Sequence, residues 1–272
     1  AYAAQKKGEA MKKVLTIAGS DPIGGAGIQA DLKTIAAHGL YGMSAVTALT
    51  AQNTTGVSGI FPVPAAFVKQ QMDSVFTDIF PDAVKIGMVS EEDVIQGISE
   101  KLKEYQAKHI VVDPVMVSTS GCRLIPEEAV ECLVETLFPL AEVITPNLME
   151  AQVLLARELT TVEDMKQAAQ ELSERYDTGV LIKGGHLKER AADVLFSNGT
   201  LTVMAAEFIA NPNTHGTGCT LSSAIACGLA AGNTLPESVK HAKKYVRGAI
   251  AAGLDLGAGS GPLHHMYQYF IT

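Results

Sequence analysis

Positive charge is in short supply in this chain. Its 21 lysines and arginines face 29 aspartates and glutamates, which leaves a formal net charge of −8. That balance excludes a broad face for nucleic acid or another polyanion, so an anionic ligand must be met locally, by single lysines or a helix N-terminus. Charge of either sign is also sparse, at 18% of residues against 47% hydrophobic, which excludes disorder and allows a large buried core. The four cysteines, at 122, 132, 219 and 227, show no C-x-x-C spacing. A core of this size has no need of disulfides and no secretory signal is visible, so a reducing, cytoplasmic setting is expected. No apolar run reaches the ~18–20 residues of a membrane span. Repeats, low-complexity linkers and charge blocks are missing too. The sequence therefore reads as one domain over residues 11–272, after a tail at 1–10 ("AYAAQKKGEA") that has no core pattern.

What the chain does have is alternation. The runs "VLTIAG", "GMSAVTAL", "AVKIGM", "HIVVDPV", "AEVITPN" and "GVLIKGG" are separated by helical stretches near 28–38, 64–77, 91–106, 126–138 and 161–176. This order predicts βαβ units and an α/β fold with a mostly parallel sheet covered on both faces. Asn198-Gly199 predicts a hairpin, and helices over about 217–231 and 236–256 follow it. Several strands close on polar or small residues, such as Gly19-Ser20-Asp21, Gly87-Met88, Asp113-Pro114, Thr145-Pro146-Asn147 and Lys183-Gly184-Gly185. Ligands of open parallel sheets bind beyond the carboxyl ends of the strands. A small-molecule site is expected along that edge.

Each candidate group has a bland reading beside a functional one. Gly25-Ala26-Gly27-Ile28-Gln29-Ala30 matches a G-x-G-x-x-A dinucleotide fingerprint. Its first glycine lies well past the strand, however, and no acid occurs from Leu32 to Met72 to take a ribose. A glycine-lined loop that lets backbone approach a ligand, with Asp31 offered to a hydroxyl, is the favoured reading. Asn147 and Glu150 fit a capping box, and the same two residues at a strand end could meet phosphate and magnesium. Asp113 closes an apolar strand, where a carboxylate is costly unless paired or bound to a cation. Lys183 is either a solvated edge residue or a point charge for phosphate. His186 is expected to be structural or exposed, and the His264-His265 pair lacks ligand-spaced companions. In "THGTGCT", Gly216, Thr217 and Gly218 are placed to offer backbone N–H groups at a helix N-terminus, which suits an anion. The same helix end is expected to lower the Cys219 thiol toward neutrality. Base, covalent nucleophile and packing filler all stay open for Cys219, whereas Cys227 reads as filler.

Taken in order, "TIAGSDPIGGAGIQADLKT", "TALTAQNT", "KIGM", "VVDPVM", "ITPNLMEA", "KGGH", "NTHGTGCTLS" and "GSGPLHH" carry a family likeness. From about Lys12 to Tyr269 the chain resembles the ribokinase-like small-molecule kinases, and among them the hydroxymethylpyrimidine/phosphomethylpyrimidine kinases of thiamine biosynthesis. The resemblance implies a three-layer α/β/α fold and ATP-dependent phosphorylation of an aminopyrimidine alcohol, then of its monophosphate. It implies an anion hole over Gly216, Thr217, Gly218 and Cys219, with Cys219 where most ribokinase relatives carry an aspartate base. Lys183, Asn147, Thr217 and Gly218 would touch the ATP phosphates, and Asp113 and Glu150 would organise Mg2+. Gly19, Ala26, Asp31, Gln52, Met88, Val115 and Cys219 match substrate-pocket positions. The Gln52 amide has a donor and an acceptor to match the ring nitrogen and amine of an aminopyrimidine, as glutamine does on an adenine edge. Pyridoxal offers no such paired edge, so pyridoxal kinase is the near alternative. A non-catalytic binding protein on the same fold is the distant one, disfavoured by the intact set Asn147, Glu150, Lys183 and Cys219. A homodimer is left open.

Overall fold

The computed structural model describes residues 10–116, 125–185 and 191–270. Most of the tail, Cys122 and His186 lie outside the described residues. Strand and helix alternate from the start: β1 (Lys13–Ser20), α1 (Gly27–Ala37), β2 (Tyr41–Asn53), β3 (Gly56–Pro62) and α2 (Ala65–Phe76). The middle of the chain gives β4 (Ala83–Ile86), α3 (Glu92–Glu104), β5 (Ile110–Val112), α4 (Glu127–Thr136), β6 (Val143–Ile144) and α5 (Leu148–Leu155). Then come α6 (Val162–Tyr176), β7 (Gly179–Ile182), β8 (Ala191–Ser197), β9 (Thr200–Ala206), α7 (Thr217–Ala230) and α8 (Leu235–Ala251).

Strand side chains point to opposite faces with period two, and here both faces are apolar. Val14, Ala83, Val111, Val143 and Leu181 join one buried cluster with α1, α7 and α8. Their neighbours Leu15, Val84, Val112, Ile144 and Ile182 join the other, with α2, α3, α4 and α6. The result is helix layer, sheet, helix layer. Among the described residues the sheet has nine strands in the order β3-β2-β1-β4-β5-β6-β7-β8-β9. From β2 to β7 the pairings are parallel, and β3, β8 and β9 are antiparallel additions. No helix of the described residues is long and apolar enough to cross a membrane.

The Asn198-Gly199 hairpin forms as expected, with positive φ at both turn residues. The β2–β3 hairpin was not expected, because "AQNTTG" reads as a loop. Strand β2 instead runs on to Asn53, whose Oδ1 accepts from the N–H groups of Thr55 (2.8 Å) and Gly56 (3.2 Å) and turns the chain. Edge strand β3 is mostly exposed and lacks the alternation that a half-buried strand shows. One connection positions the site. Strand β1 leads to β2 on one side and has β4 on the other, so the strand order reverses at its carboxyl end.

Candidate active site

The carboxyl ends of β1, β4, β5 and β7, with the N-terminus of α7, frame a cleft of about 670 Å³. It is lined by Gly19, Ala26, Gln52, Met88, Asp113, Val115, Asn147, Glu150, Lys183, Gly216, Thr217, Gly218 and Cys219. Of the site residues the family resemblance implies, Asp31 alone is not on its wall.

At one end the cleft is built for negative charge. Lys183 Nζ donates to Asp113 Oδ1 at 2.6 Å, and Thr145 Oγ1 donates to the same oxygen at 2.9 Å. Among the described residues, the other oxygen, Oδ2, has only the Ser222 hydroxyl at 3.5 Å. Burial alone would raise the Asp113 carboxyl, but the Lys183 and Lys85 ammonium groups outweigh it and hold it below the usual carboxylate range. Gly216 caps α7 at φ 78°, and a Cβ there would run into the Gly25 carbonyl oxygen. A Cβ at Gly218 would stand 3.3 Å from both Asp113 Oδ2 and Lys183 Nζ. Glycine therefore keeps the backbone of α7 open to whatever meets those charges. The Thr217 N–H is taken by the Thr214 carbonyl at 3.2 Å. Among the described residues, the N–H groups of Gly218 and Cys219 donate to no protein acceptor. Of the expected donors, Thr217 is therefore engaged within its own loop, while Gly218 and Cys219 stay open to an anion.

Asn147 and Glu150 do form the capping box: Asn147 Oδ1 accepts from Glu150 N at 2.9 Å, and Glu150 Oε2 from Asn147 N at 2.7 Å. Both residues also line the cleft, so capping does not withdraw them from it. Burial raises the Glu150 carboxyl to about 7; Lys183 opposes the shift and the Asp113 carboxylate adds to it.

Cys219 is partly buried and opens on the cleft. The expected lowering of its thiol is not met. Burial pushes it up to about 11, with Lys85 and the Gly27 N–H pulling down and the Asp31 and Asp113 carboxylates pushing up. Cys227, inside α7, is fully buried filler. Asp31 lies under the cleft floor with no exposure. There it accepts from Lys85 Nζ (2.8 Å), Thr16 Oγ1 (2.5 Å) and Ser223 Oγ (2.7 Å). With no exposure and both oxygens already engaged, it is not available to a substrate hydroxyl. The glycine loop spans residues 21–26 between β1 and α1, too long for the tight turn of a dinucleotide fingerprint.

The opposite end is mostly apolar. Met88, Val115 and Ala26 face the cleft with Gln52. A Cβ at Gly19 would come within 2.7 Å of the Met88 methyl, so glycine makes room there. Two residues missed in the sequence complete this end. Asp21 and His215 are both buried and bonded at 2.9 Å between Oδ2 and Nε2. The one signal for Asp21 was its place at a strand end; the partner, 194 residues away, left no local trace. The "GSGPLHH" segment straps this end. Gly259 N donates to Thr54 Oγ1 (3.1 Å), Gly261 N to Asn213 Oδ1 (2.9 Å), and the Gly261 carbonyl accepts from His215 N (3.1 Å). His265 is buried with Nε2 at 3.0 Å from Thr220 Oγ1. Among the described residues no three His, Cys, Asp or Glu side chains are grouped to hold a metal.

Comparison with known proteins agrees with this architecture. Residues 21–264 match the family described as Phosphomethylpyrimidine kinase. The chain is 50% identical over 260 residues to the hydroxymethylpyrimidine/phosphomethylpyrimidine kinase of Rhizobium meliloti, covering 94% of this chain and 97% of that one. It is also 50% identical to the thiamine biosynthesis bifunctional protein ThiED of Geobacter sulfurreducens, where 93% of this chain spans 52%, about half, of the relative. Among solved structures, the ADP complex of Bacillus subtilis pyridoxal kinase superposes with a TM-score of 0.89 at 40% identity, covering 96% of this chain and 100% of that one. The phosphomethylpyrimidine kinase of Clostridium difficile 630 gives 0.79 at 47% identity, covering 88% and 99%.

Proposed function

Because the chain belongs to the phosphomethylpyrimidine kinase family, we propose that it transfers the γ-phosphoryl group of ATP to hydroxymethylpyrimidine and then to the resulting monophosphate. The observation that carries the proposal is the polarity of the cleft. One end joins the Lys183 ammonium to the free N–H groups of Gly218 and Cys219, and the other pairs the Gln52 amide with the apolar Met88 and Val115. The first suits a polyphosphate; the second suits a flat, neutral heterocycle with a polar edge. Beyond the anion end, Phe208, Ile209, Val246 and Ile250 offer an apolar wall for the base of ATP.

In a loose phosphoryl-transfer transition state, charge gathers on the equatorial oxygens of the moving group, and positioned donors do most of the catalysis. Lys183 and the N–H groups at the head of α7 would hold those oxygens. Asn147 would orient the phosphates beside them. Cys219 would take the proton of the attacking hydroxyl, helped by the nearby Lys85 ammonium. Because this thiol sits at about 11, turnover should climb with pH through the neutral range, by about tenfold per unit if proton removal limits the rate.

Asp113 and Glu150 fit magnesium. Asp113 Oδ2 is a buried carboxylate oxygen with one distant hydroxyl partner, and magnesium takes one or two carboxylates together with waters and phosphates. When bound, the ion neutralises phosphate charge. Glu150 must then give up the proton it holds below about 7, so the magnesium requirement should ease as pH rises, and Glu150→Gln should raise it. An unchanged magnesium titration in Glu150→Gln would reduce Glu150 to a helix cap.

The likeness to pyridoxal kinase structures favours pyridoxal as a second substrate. A coupled ATP-consumption assay with hydroxymethylpyrimidine, its monophosphate and pyridoxal in parallel tests the reading. Turnover of both pyrimidines is expected. Turnover of pyridoxal alone would transfer the assignment, and no turnover of any of the three would leave a binding protein.

A further inference from the structure

The end of the cleft beside Gln52 holds a carboxylate and an imidazole that phosphoryl transfer leaves without a task. Asp21 follows β1 and is only 3% exposed. Its Oδ2 accepts from Gly25 N (3.0 Å) and Ala26 N (2.8 Å), and its Oδ1 accepts from Ile23 N (3.1 Å). A carboxyl receiving three backbone N–H groups is ionised, and His215 with these donors keeps it so against its burial. The His215 ring faces the same Oδ2 with Nε2 at 2.9 Å. A nitrogen lone pair would be repelled there, so Nε2 carries a hydrogen in either charge state of the ring. The ring has little freedom to turn away. A Cβ at Gly25 would run into it, and its backbone N–H is fixed on the Gly261 carbonyl.

The same Nε2 stands 3.3 Å from the nitrogen assigned to the Gln52 amide. Two N–H groups cannot bond each other. The two ends of a carboxamide have the same shape, so the hydrogen-bond network alone decides which is which. With the amide turned over, its oxygen accepts from His215 Nε2–H. Its NH2 then meets Thr50 Oγ1 at 3.3 Å, a hydroxyl that already donates to the Ser20 carbonyl at 2.9 Å and has a lone pair to offer. In the turned arrangement the one Nε2 hydrogen is shared between Asp21 Oδ2 and the amide oxygen, and no like groups are left facing each other.

We infer that Asp21, acting through His215, fixes the orientation of the Gln52 carboxamide and so the order of acceptor and donor that the cleft presents to its heterocycle. Both are positioning residues for substrate choice. An edge with a ring nitrogen beside an amine then docks in one of its two orientations, and the flipped one meets like against like. Only the identity of that heterocycle rests on the kinase reading above.

Ring NMR of the unliganded protein tests the first link. A long-range proton–nitrogen spectrum, with the His215 signals identified by their loss in His215→Gln, should show the proton on Nε2. A neutral ring with its proton on Nδ1 would overturn the inference. Kinetics test the second link. His215→Leu should raise KM for hydroxymethylpyrimidine by roughly tenfold, the value of one or two net hydrogen bonds, with KM for ATP changed less than about twofold. His215→Gln, whose terminal N–H2 can donate to the same two oxygens, should recover most of the loss. A KM that stays put, equal rises for both substrates, or no recovery in His215→Gln would each sink it. Should His215→Leu fail to fold, Asp21→Ala reads the same link, since it removes the acceptor that holds the hydrogen on Nε2 and should raise the pyrimidine KM in parallel. Because the spectrum is taken without ligand, it decides the inference even where the assay fails and takes the kinase reading with it.

Discussion

Two lysine–aspartate pairs lie near the carboxyl ends of strands in this sheet, and they differ in one respect. Lys85 and Asp31 meet at 2.8 Å with no exposure on either side chain, and their remaining bonds go to Thr16 and Ser223. Lys183 and Asp113 meet at 2.6 Å, but the lysine is 16% exposed and both line the cleft. The sealed pair ties α1 and α7 to the sheet beneath the site. The open pair has an ammonium face and a carboxylate oxygen left for a ligand. The difference is one of access, not of residue type: the same ion pair is sealed from any ligand beneath the cleft floor and open to one at its wall.

The comparison can be broken at its open member first. Lys183→Met and Cys219→Ala should keep the fold while each loses about 10²–10⁴-fold in kcat, the range for an essential charge or proton acceptor. Cys219→Asp should retain more than alanine and should flatten the rise of activity with pH. Circular dichroism alongside steady-state kinetics checks both, and near-normal turnover in Cys219→Ala would leave catalysis to the anion hole. At the sealed pair the loss should instead be in stability. Lys85→Met strands a buried Asp31 and should cost about 3–5 kcal/mol in denaturant unfolding, much of it regained in Lys85→Met with Asp31→Leu. If the single variant were as stable as the parent, the pair would not be structural.

Glu150 separates the two regions by pH. Its carboxyl titrates near 7 in the folded chain against 4.5 unfolded. The native state therefore binds more protons than the unfolded one between those values, and stability falls as pH rises through them. Glu150→Gln should flatten the melting temperature over that window while keeping the cap. The smallest expected effect is at Gln52. Gln52→Met keeps length and volume but removes both hydrogen bonds, each worth ~0.5–1.5 kcal/mol net, so kcat/KM for hydroxymethylpyrimidine should fall by a few kcal/mol at most. Pyridoxal should be little affected. The ratio of the two kcat/KM values is the measurement, and equal losses would mean that Gln52 does not select the pyrimidine.

Much of this layout was legible in the sequence where the signal was local. Apolar runs alternating with helical periods predict the parallel core, since each strand buries both faces. The capping box at Asn147 and Glu150 is read within four consecutive residues. Lys183 and Asp113 are visible as charges closing apolar strands. What could not be read was long-range pairing. Whether Asp31 points up into a cleft or down onto Lys85 depends on a contact 54 residues away. The thiol of Cys219 depends on how much burial offsets the pull of a helix terminus, which no spacing encodes. The β2–β3 hairpin was hidden because an exposed edge strand needs no apolar pattern.

The strap from Gly259 to Gly261 sets an order of events as well as a shape. It reaches back some 205 residues to Thr54 and holds the backbone of His215, so the heterocycle end of the cleft joins segments from the first fifth and the last twentieth of the chain. A ribosome making this protein emits the whole parallel core before that end can close. A nascent chain stalled before Gly259 could bury its sheet and seal the Lys85–Asp31 pair, yet the backbone of His215 would not yet be held in place.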